Sequence, residues 1–294
     1  MSPSPPRPGS LHRGLAAGRA VRFLATELAG IANITRERHD LDPDATRIAA
    51  EALVAASLMS AWIKGEERIT LQIQGEQPRF SFMADVDSEG GLRARLTPAS
   101  VPLPKGGNVN GLIYAIRADV SKEIYRGVSA IEDQTIERAL AAHVRGSEQM
   151  DAFLRIGVSM GEDGRVRSAG GIVVERLPEE PGLPSMSRED FRNQFAGIED
   201  QPAQELLLAL AFGTLVGEKV EILENRELHW RCGCSQERIE AVLYNLGVAE
   251  LRAILAEQGG AEVACHFSNL AYTVDADGIQ GLIDLHEQTD EAPT

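Results

Sequence analysis

A chain of 294 residues is long enough for about two domains, and 43% apolar with 25% charged residues is the composition of a soluble globular protein. The formal charge of −15 argues against a nucleic-acid or anionic-membrane surface, since both need clustered Lys and Arg, and points to proteins as partners. The most hydrophobic stretch, Ile48 to Ile63, is broken by Glu51 and Ser57, so no segment reads as a membrane span.

Met1 to Gly14 is rich in Pro, Ser and Arg and lacks an apolar core with a small-residue cleavage site, so a disordered tail over 1–14 and no export are expected. Three cysteines, an odd number, fit a reducing compartment, and the predicted location is the cytoplasm. Leu15 to Ile34 carries apolar residues at helical spacing. Asp42-Pro43-Asp44 then opens a helix through Ala45, Ile48, Leu53 and Met59 to about Ile63, with an alanine-rich surface suited to close packing on a sheet.

From Arg68 the period changes to two. Arg68 to Gln74, Phe80 to Val86 and Gly91 to Leu96 read as an antiparallel meander, with Asp87-Ser88-Glu89-Gly90 as a turn. Pro102 to Asn108 is a loop whose Gly106-Gly107 lacks the partners of a phosphate cradle. A strand is expected at Leu112 to Ile116, an amphipathic helix at Glu132 to His143, a passage from helix to strand at Glu148 to Met160, and a last strand at Gly170 to Val174. His143 has no acid or nucleophile at partner spacing and reads as a packing residue.

Leu177 to Pro184 holds three prolines and marks a boundary. Beyond it, Glu189 to Phe195 forms a short helix, and Gln201-Pro202 opens a stronger one with Leu206, Leu207 and Leu210 on one face. Glu221 to Trp230 is a connector with enough apolar residues to pack on a surface from which it can detach.

The three cysteines lie in Cys232-Gly-Cys234 and Cys265-His-Phe-Ser268. Ser235 is a natural N-cap for a helix carrying Ile239, Val242, Leu243 and Leu246. A second helix carries Leu251, Ile254 and Leu255 and stops at Gly259-Gly260. Paired doublets of thiols grip zinc or form disulfides, and a module this small commonly needs such a tie.

The blocks Lys64-Gly-Glu-Glu-Arg-Ile-Thr-Leu-Gln-Ile-Gln-Gly75, Ser147-Glu-Gln149, Ala169-Gly-Gly171 and Cys232-Gly-Cys-Ser-Gln-Glu-Arg-Ile239 make the chain resemble, over roughly 14–283, the heat shock protein 33 (33 kDa chaperonin) family. The resemblance implies an α+β protein: an N-terminal α/β domain over 15–176 with an antiparallel sheet and packed helices, a helical linker over 177–230, and a small zinc module over 231–294. It implies an ATP-independent holdase chaperone, inactive while reduced and zinc-bound, whose C-x-C and C-x-x-C pairs become disulfides under oxidant. Zinc then leaves, module and linker unfold, and Leu206, Leu207 and Leu210 reach unfolded client proteins. A homodimer accompanies activation in that picture, with no nucleic acid and no membrane as partner.

The fourth cysteine of the family pattern is Ser268 here, and a serine hydroxyl is a poor zinc ligand. Cys232, Cys234 and Cys265 are the expected metal ligands, and three arrangements stay open: His266 or His229 as fourth ligand, water in that position, or no stable site. A redox disulfide is expected at Cys232 and Cys234, although so short a ring is strained. The rival readings are a thiol-disulfide exchange protein using the Cys232-Gly-Cys234 dithiol, a holdase not gated by oxidation, a nucleic-acid-binding zinc ribbon, and a merely structural knuckle. No catalytic constellation is expected.

Overall fold

The computed structural model describes residues 8–60, 63, 65–119, 121–146, 151–179 and 181–290. Ser147 to Gln149 and Lys64, quoted above for the resemblance, lie outside the described residues. The chain divides into two compact units, one ending at Arg231 and the other beginning at Cys232. Among the described residues, no helix is long and apolar enough to cross a membrane.

The first unit contains strands β1 (Gly9–Ala16), β2 (Val21–Glu27), β3 (Arg68–Gln77), β4 (Arg79–Asp87), β5 (Gly91–Thr97), β6 (Val109–Ala118), β7 (Glu123–Gln134), β8 (Ala152–Met160) and β9 (Val166–Arg176). After them come a two-residue-armed hairpin, β10 (Thr214–Leu215) and β11 (Glu218–Lys219), and then β12 (Glu221–Trp230). Ten of these strands form one sheet in the order β7-β6-β3-β4-β5-β12-β1-β2-β9-β8. The helices are α1 (Ala29–His39), α2 (Pro43–Met59), α3 (Ile136–Gly146), α4 (Arg188–Phe195) and α5 (Ala203–Ala211).

The expected meander is present as β3, β4 and β5, where alternation buries Ile69, Leu71 and Ile73 on one face. Helix α2 starts where the sequence predicts, with Asp42 accepting from Ala45 N at 2.7 Å, and ends at Ser60, whose hydroxyl donates to Ser57 O at 2.7 Å. Its alanines 49, 50, 52, 55 and 56 are all buried, because small side chains let the helix approach the sheet closely.

Four expectations are corrected. Leu15 to Ile34 is mostly strand: β1 ends there, β2 fills Val21–Glu27, and helix begins only at Ala29. Strand β2 is covered on both faces, with Leu24 in the core that α1 and α2 share and Val21, Phe23 and Ala25 in a second core with Phe191, Phe195, Leu206 and Leu210. A strand buried on both sides loses the alternation that identifies it. The tail expected over 1–14 is ordered sheet from Gly9, and residues 1–7 lie outside the described residues.

Third, the helix expected from Glu132 begins only at Ile136, and Glu132 to Gln134 end the edge strand β7, whose charged residues face solvent on both sides. Fourth, the linker is not wholly helical: α4 and α5 stand where expected, but Glu221–Trp230 is β12. It pairs antiparallel with β1, from Gly9 opposite Leu228 to Leu15 opposite Glu221, and parallel with β5 through His229 opposite Gly91 and Trp230 opposite Leu92. The supposed tail and the supposed connector therefore pair with each other and join the two halves of the sheet.

Candidate functional site

The second unit is built around two helices, a hairpin and a closing helix: α6 (Gln236–Tyr244), α7 (Val248–Gln258), β13 (Ala261–Ala264), β14 (Ala271–Val274) and α8 (Ala276–Asp290). Ser235 caps α6 by accepting from Arg238 N at 3.3 Å, and Gly259 caps α7 with a left-handed φ of 68°. Ile239, Leu243, Leu251, Val274, Ile279 and Ile283 form its core. Helix α8 supplies the last two of these, and sequence reasoning missed it.

The C-x-C turn precedes α6, and Cys265 follows β13 at the turn of the β13–β14 hairpin. That turn is closed by Asn269 N donating to Cys265 O at 2.8 Å and Cys265 N donating to Leu270 O at 2.9 Å, with Asn269 in the left-handed region at φ 54°. The C-x-C segment is held to the hairpin by Tyr272, whose hydroxyl donates to Cys234 O at 3.1 Å, and by Gln236, whose amide donates to Thr273 O at 3.2 Å.

These ties bring the three thiols together: their sulfurs all lie within 4.8 Å of one another. Cys265 Sγ is 2.9 Å from Cys234 Sγ and 3.4 Å from Cys232 Sγ. Cys265 is buried, while Cys232 and Cys234 are half-buried. Desolvation opposes charge on Cys265, but hydrogen bonds from the Cys234 thiol, the Ser268 hydroxyl and the Ser268 and Phe267 amides outweigh it and lower its pKa. Desolvation and donation to Cys265 push Cys234 upward. The cluster is therefore poised as a thiolate at Cys265 beside a thiol at Cys234.

Zinc at about 2.3 Å from each sulfur would space tetrahedral thiolates about 3.8 Å apart. Cys265 Sγ, at 2.9 Å from Cys234 Sγ and 3.4 Å from Cys232 Sγ, would need to separate from them by about 0.9 and about 0.4 Å to reach that spacing, and the all-thiol donor set is one that zinc favours, so Cys232, Cys234 and Cys265 fit the metal as three ligands. Ser268, in the position of the missing thiol, is 2% exposed, with its hydroxyl engaged by Cys265 and by Leu270 N at 3.4 Å. Neither histidine is among the grouped ligand atoms. His229 belongs to β12 in the first unit, where its amide donates to Gly90 O at 2.9 Å, and His266 is in the hairpin turn next to Cys265.

Of the apolar residues expected to meet other proteins, Leu206 and Leu210 are buried and Leu207 packs at the edge of the same core. The exposed apolar set is a different one. Leu208 is 58% exposed and Phe212 78%, on the opposite face of α5, and Ile222 and Leu223 on β12 are also exposed. A cleft lined by His12, Ala25, Leu207, Leu210, Ala211 and Ile222 adjoins them. The i, i+4 spacing of Leu208 and Phe212 was the available signal.

A family model described as Hsp33 protein matches residues 9–275. The chain is 32% identical over 276 residues to the 33 kDa chaperonin of Symbiobacterium thermophilum, covering 89% of this chain and 92% of the relative. It is 25% identical over 284 residues to the 33 kDa chaperonin of Bacillus subtilis, covering 93% and 98%. The crystal structure of the 33 kDa chaperonin of Thermotoga maritima superposes with a TM-score of 0.80 at 25% identity, covering 96% of this chain and 99% of that one.

Proposed function

The chain belongs to the Hsp33 family, a family of chaperones and not of enzymes, and on that premise we propose that it is an ATP-independent holdase that binds unfolding proteins. The observation that carries this reading is the apolar surface of the segment around α5 and β12, where Leu208, Phe212, Ile222 and Leu223 stand exposed on a chain of net charge −15. Apolar side chains in water, on an otherwise highly charged and soluble molecule, suit transient capture of apolar client segments.

Further client surface lies one step away. Releasing α5 from the sheet would add Leu206 and Leu210 to the patch. Strand β12 buries only Leu228 fully, and is otherwise held by its ladder to β1 and by ion pairs such as Arg13 with Glu224 at 2.8 Å and Arg231 with Glu89 at 2.8 Å. A strand held by little apolar area opens at low cost.

The cysteine cluster is the regulatory element of this reading. Zinc held by Cys232, Cys234 and Cys265 would tie the C-x-C turn to the hairpin and contribute folding free energy to the second unit. Cys265, hydrogen-bonded as a thiolate, is the residue that keeps the donor set charged.

The test is suppression of light scattering by a chemically unfolded reporter enzyme, without nucleotide, using reduced and peroxide-treated protein. Suppression in at least one redox state, unaffected by ATP, is expected. No suppression in either state refutes the holdase reading, and full suppression in the reduced state refutes gating by oxidation. Reduction of insulin disulfides would instead favour the exchange reading of the dithiol.

A further inference from the structure

We propose that oxidation of this chain joins Cys234 to Cys265, so that its disulfide ties the second unit together instead of releasing it. The inference rests on reading the cysteine cluster as the redox element of a holdase, and it concerns the sign of that element.

Three observations carry it. Ser268 provides no thiol, so the hairpin turn cannot close a disulfide within itself, and Cys265 must pair across to the C-x-C turn or stay reduced. Cys265 Sγ is already 2.9 Å from Cys234 Sγ, a nearer approach than its 3.4 Å to Cys232 Sγ. Finally, the alternative ring through Cys232, Gly233 and Cys234 spans a single residue and stores strain.

The chemistry balances with a peroxide as oxidant. Cys234 is half-buried and Cys265 buried, so peroxide meets Cys234 first. The Cys234 sulfur attacks one peroxide oxygen as its proton passes to the departing oxygen, the O–O bond breaks, water leaves, and a sulfenic acid forms. Cys265 then attacks that sulfur as a thiolate, the S–O bond breaks, and hydroxide leaves as the disulfide forms. The two sulfurs have lost two electrons and hydrogen peroxide has gained them.

The consequence follows from where the bond lies. A link from Cys234 to Cys265 encloses α6, α7 and β13, so it constrains the unfolded state of this unit across about half its length. A link within one turn encloses almost nothing. Oxidation in this chain therefore replaces one tie within the second unit with another, and Cys232 alone remains reduced.

The experiment is disulfide mapping of the full-length protein after treatment with hydrogen peroxide, quenched by alkylation. Trypsin cuts after Arg231, Arg238 and Arg252, giving peptides 232–238 and 253–294. The expected product is these two peptides joined. A 232–238 peptide lighter by two hydrogens beside a free 253–294 peptide overturns the proposal. Recovery of Cys265 only as higher oxides or in bridges between chains also overturns it.

The variant Cys234→Ser is expected to lower the yield of joined peptides about threefold or more, and an unchanged yield overturns Cys234 as the partner. Brief proteolysis of the oxidised protein reads the consequence: Arg238 and Arg252 are expected to be cut no faster than in the reduced protein, and rapid cutting there overturns the tie. Client aggregation measured on the same samples separates the two readings, because a joined protein that holds no client in any redox state removes the holdase function and leaves the disulfide assignment standing.

Discussion

Glu51 faces Arg47 and Glu137 in a polar cavity of the first unit, and it is the clearest case of a side chain whose surroundings work against its charge. Desolvation raises its carboxyl to about 7, with Glu137 adding to the rise and Arg47 opposing it. The folded protein then holds a proton that the unfolded chain has already lost, so stability present below about pH 4.5 is lost as pH rises toward 7. Glu51→Gln is expected to stabilise by about 2 kcal/mol at pH 8 and by little at pH 4.5, read from urea unfolding midpoints. Equal effects at both pH values would refute the assignment. His143 has the opposite slope. It is fully buried, its Nδ1 lies 2.8 Å from Ser129 Oγ, and its Nε2 has no hydrogen-bond partner among the described residues. Desolvation lowers its pKa, so the folded state keeps it neutral and stability falls as pH drops below about 6.5, where the unfolded chain takes up the proton. His143→Asn should flatten the stability profile between pH 7 and 5.5, and a profile as steep as that of the parent protein would show that another group titrates there.

At the scale of elements, β12 decides whether the segment after α5 is a fixed part of the sheet or a releasable one. Gly14 of β1 has no room for a side chain between β12 and β2: a Cβ there would lie 2.3 Å from Glu221 O and 2.5 Å from the Phe23 ring. The carbonyl cannot yield without moving β12. Gly14→Ala is therefore expected to speed amide exchange across Glu221–Trp230 by about tenfold or more, while β3 and β4 stay protected, and to raise client holding in the reduced protein. Unchanged exchange in β12 would mean that β1 yields instead. The same strand shows what a sequence can and cannot reveal. The meander β3 to β5, the cap of α2, the helix α5 and the cap of α6 are all local, carried by alternation, Asp42-Pro43, Gln201-Pro202 and Ser235, and they were legible. Strand β12 has charges at Glu224, Arg226 and Glu227 on both faces because it is held by ladder bonds and ion pairs, so no period marks it. Strand β2 fails in the opposite way, through burial on both sides. The pairing of a tail with a segment some two hundred residues later is a long-range fact that no local pattern carries. The three thiols were legible from spacing alone, yet the approach of Cys265 Sγ to within 3.4 Å of both other sulfurs came only from the hairpin turn.

Across the whole molecule, the two units differ in what keeps them folded. The first buries an extensive core on both faces of its sheet, whereas the second relies on six buried apolar residues and the cysteine cluster. So small a core is marginal without a tie, so a strong chelator under reducing conditions is expected to lower the unfolding transition of the second unit while leaving that of the first in place. A single transition that chelator does not shift would show that the apolar core suffices. Ser268 sets how firmly that tie holds. Its side chain is buried and its hydroxyl already meets Cys265, so a sulfur in its place would stand in the donor set with little rearrangement. A fourth thiolate in place of an un-ionised hydroxyl should strengthen zinc binding at least about tenfold, seen as slower loss to a competing chelator from Ser268→Cys than from the parent. It should also change the response to peroxide, because Cys265 would then have a partner within its own turn. The variant is expected to form a link within the hairpin turn and to lose protease resistance in the second unit on oxidation. Equal zinc retention in the two proteins would mean that the fourth position is filled without a thiol, and equal protease resistance after peroxide would mean that the serine has no part in the sign of the switch.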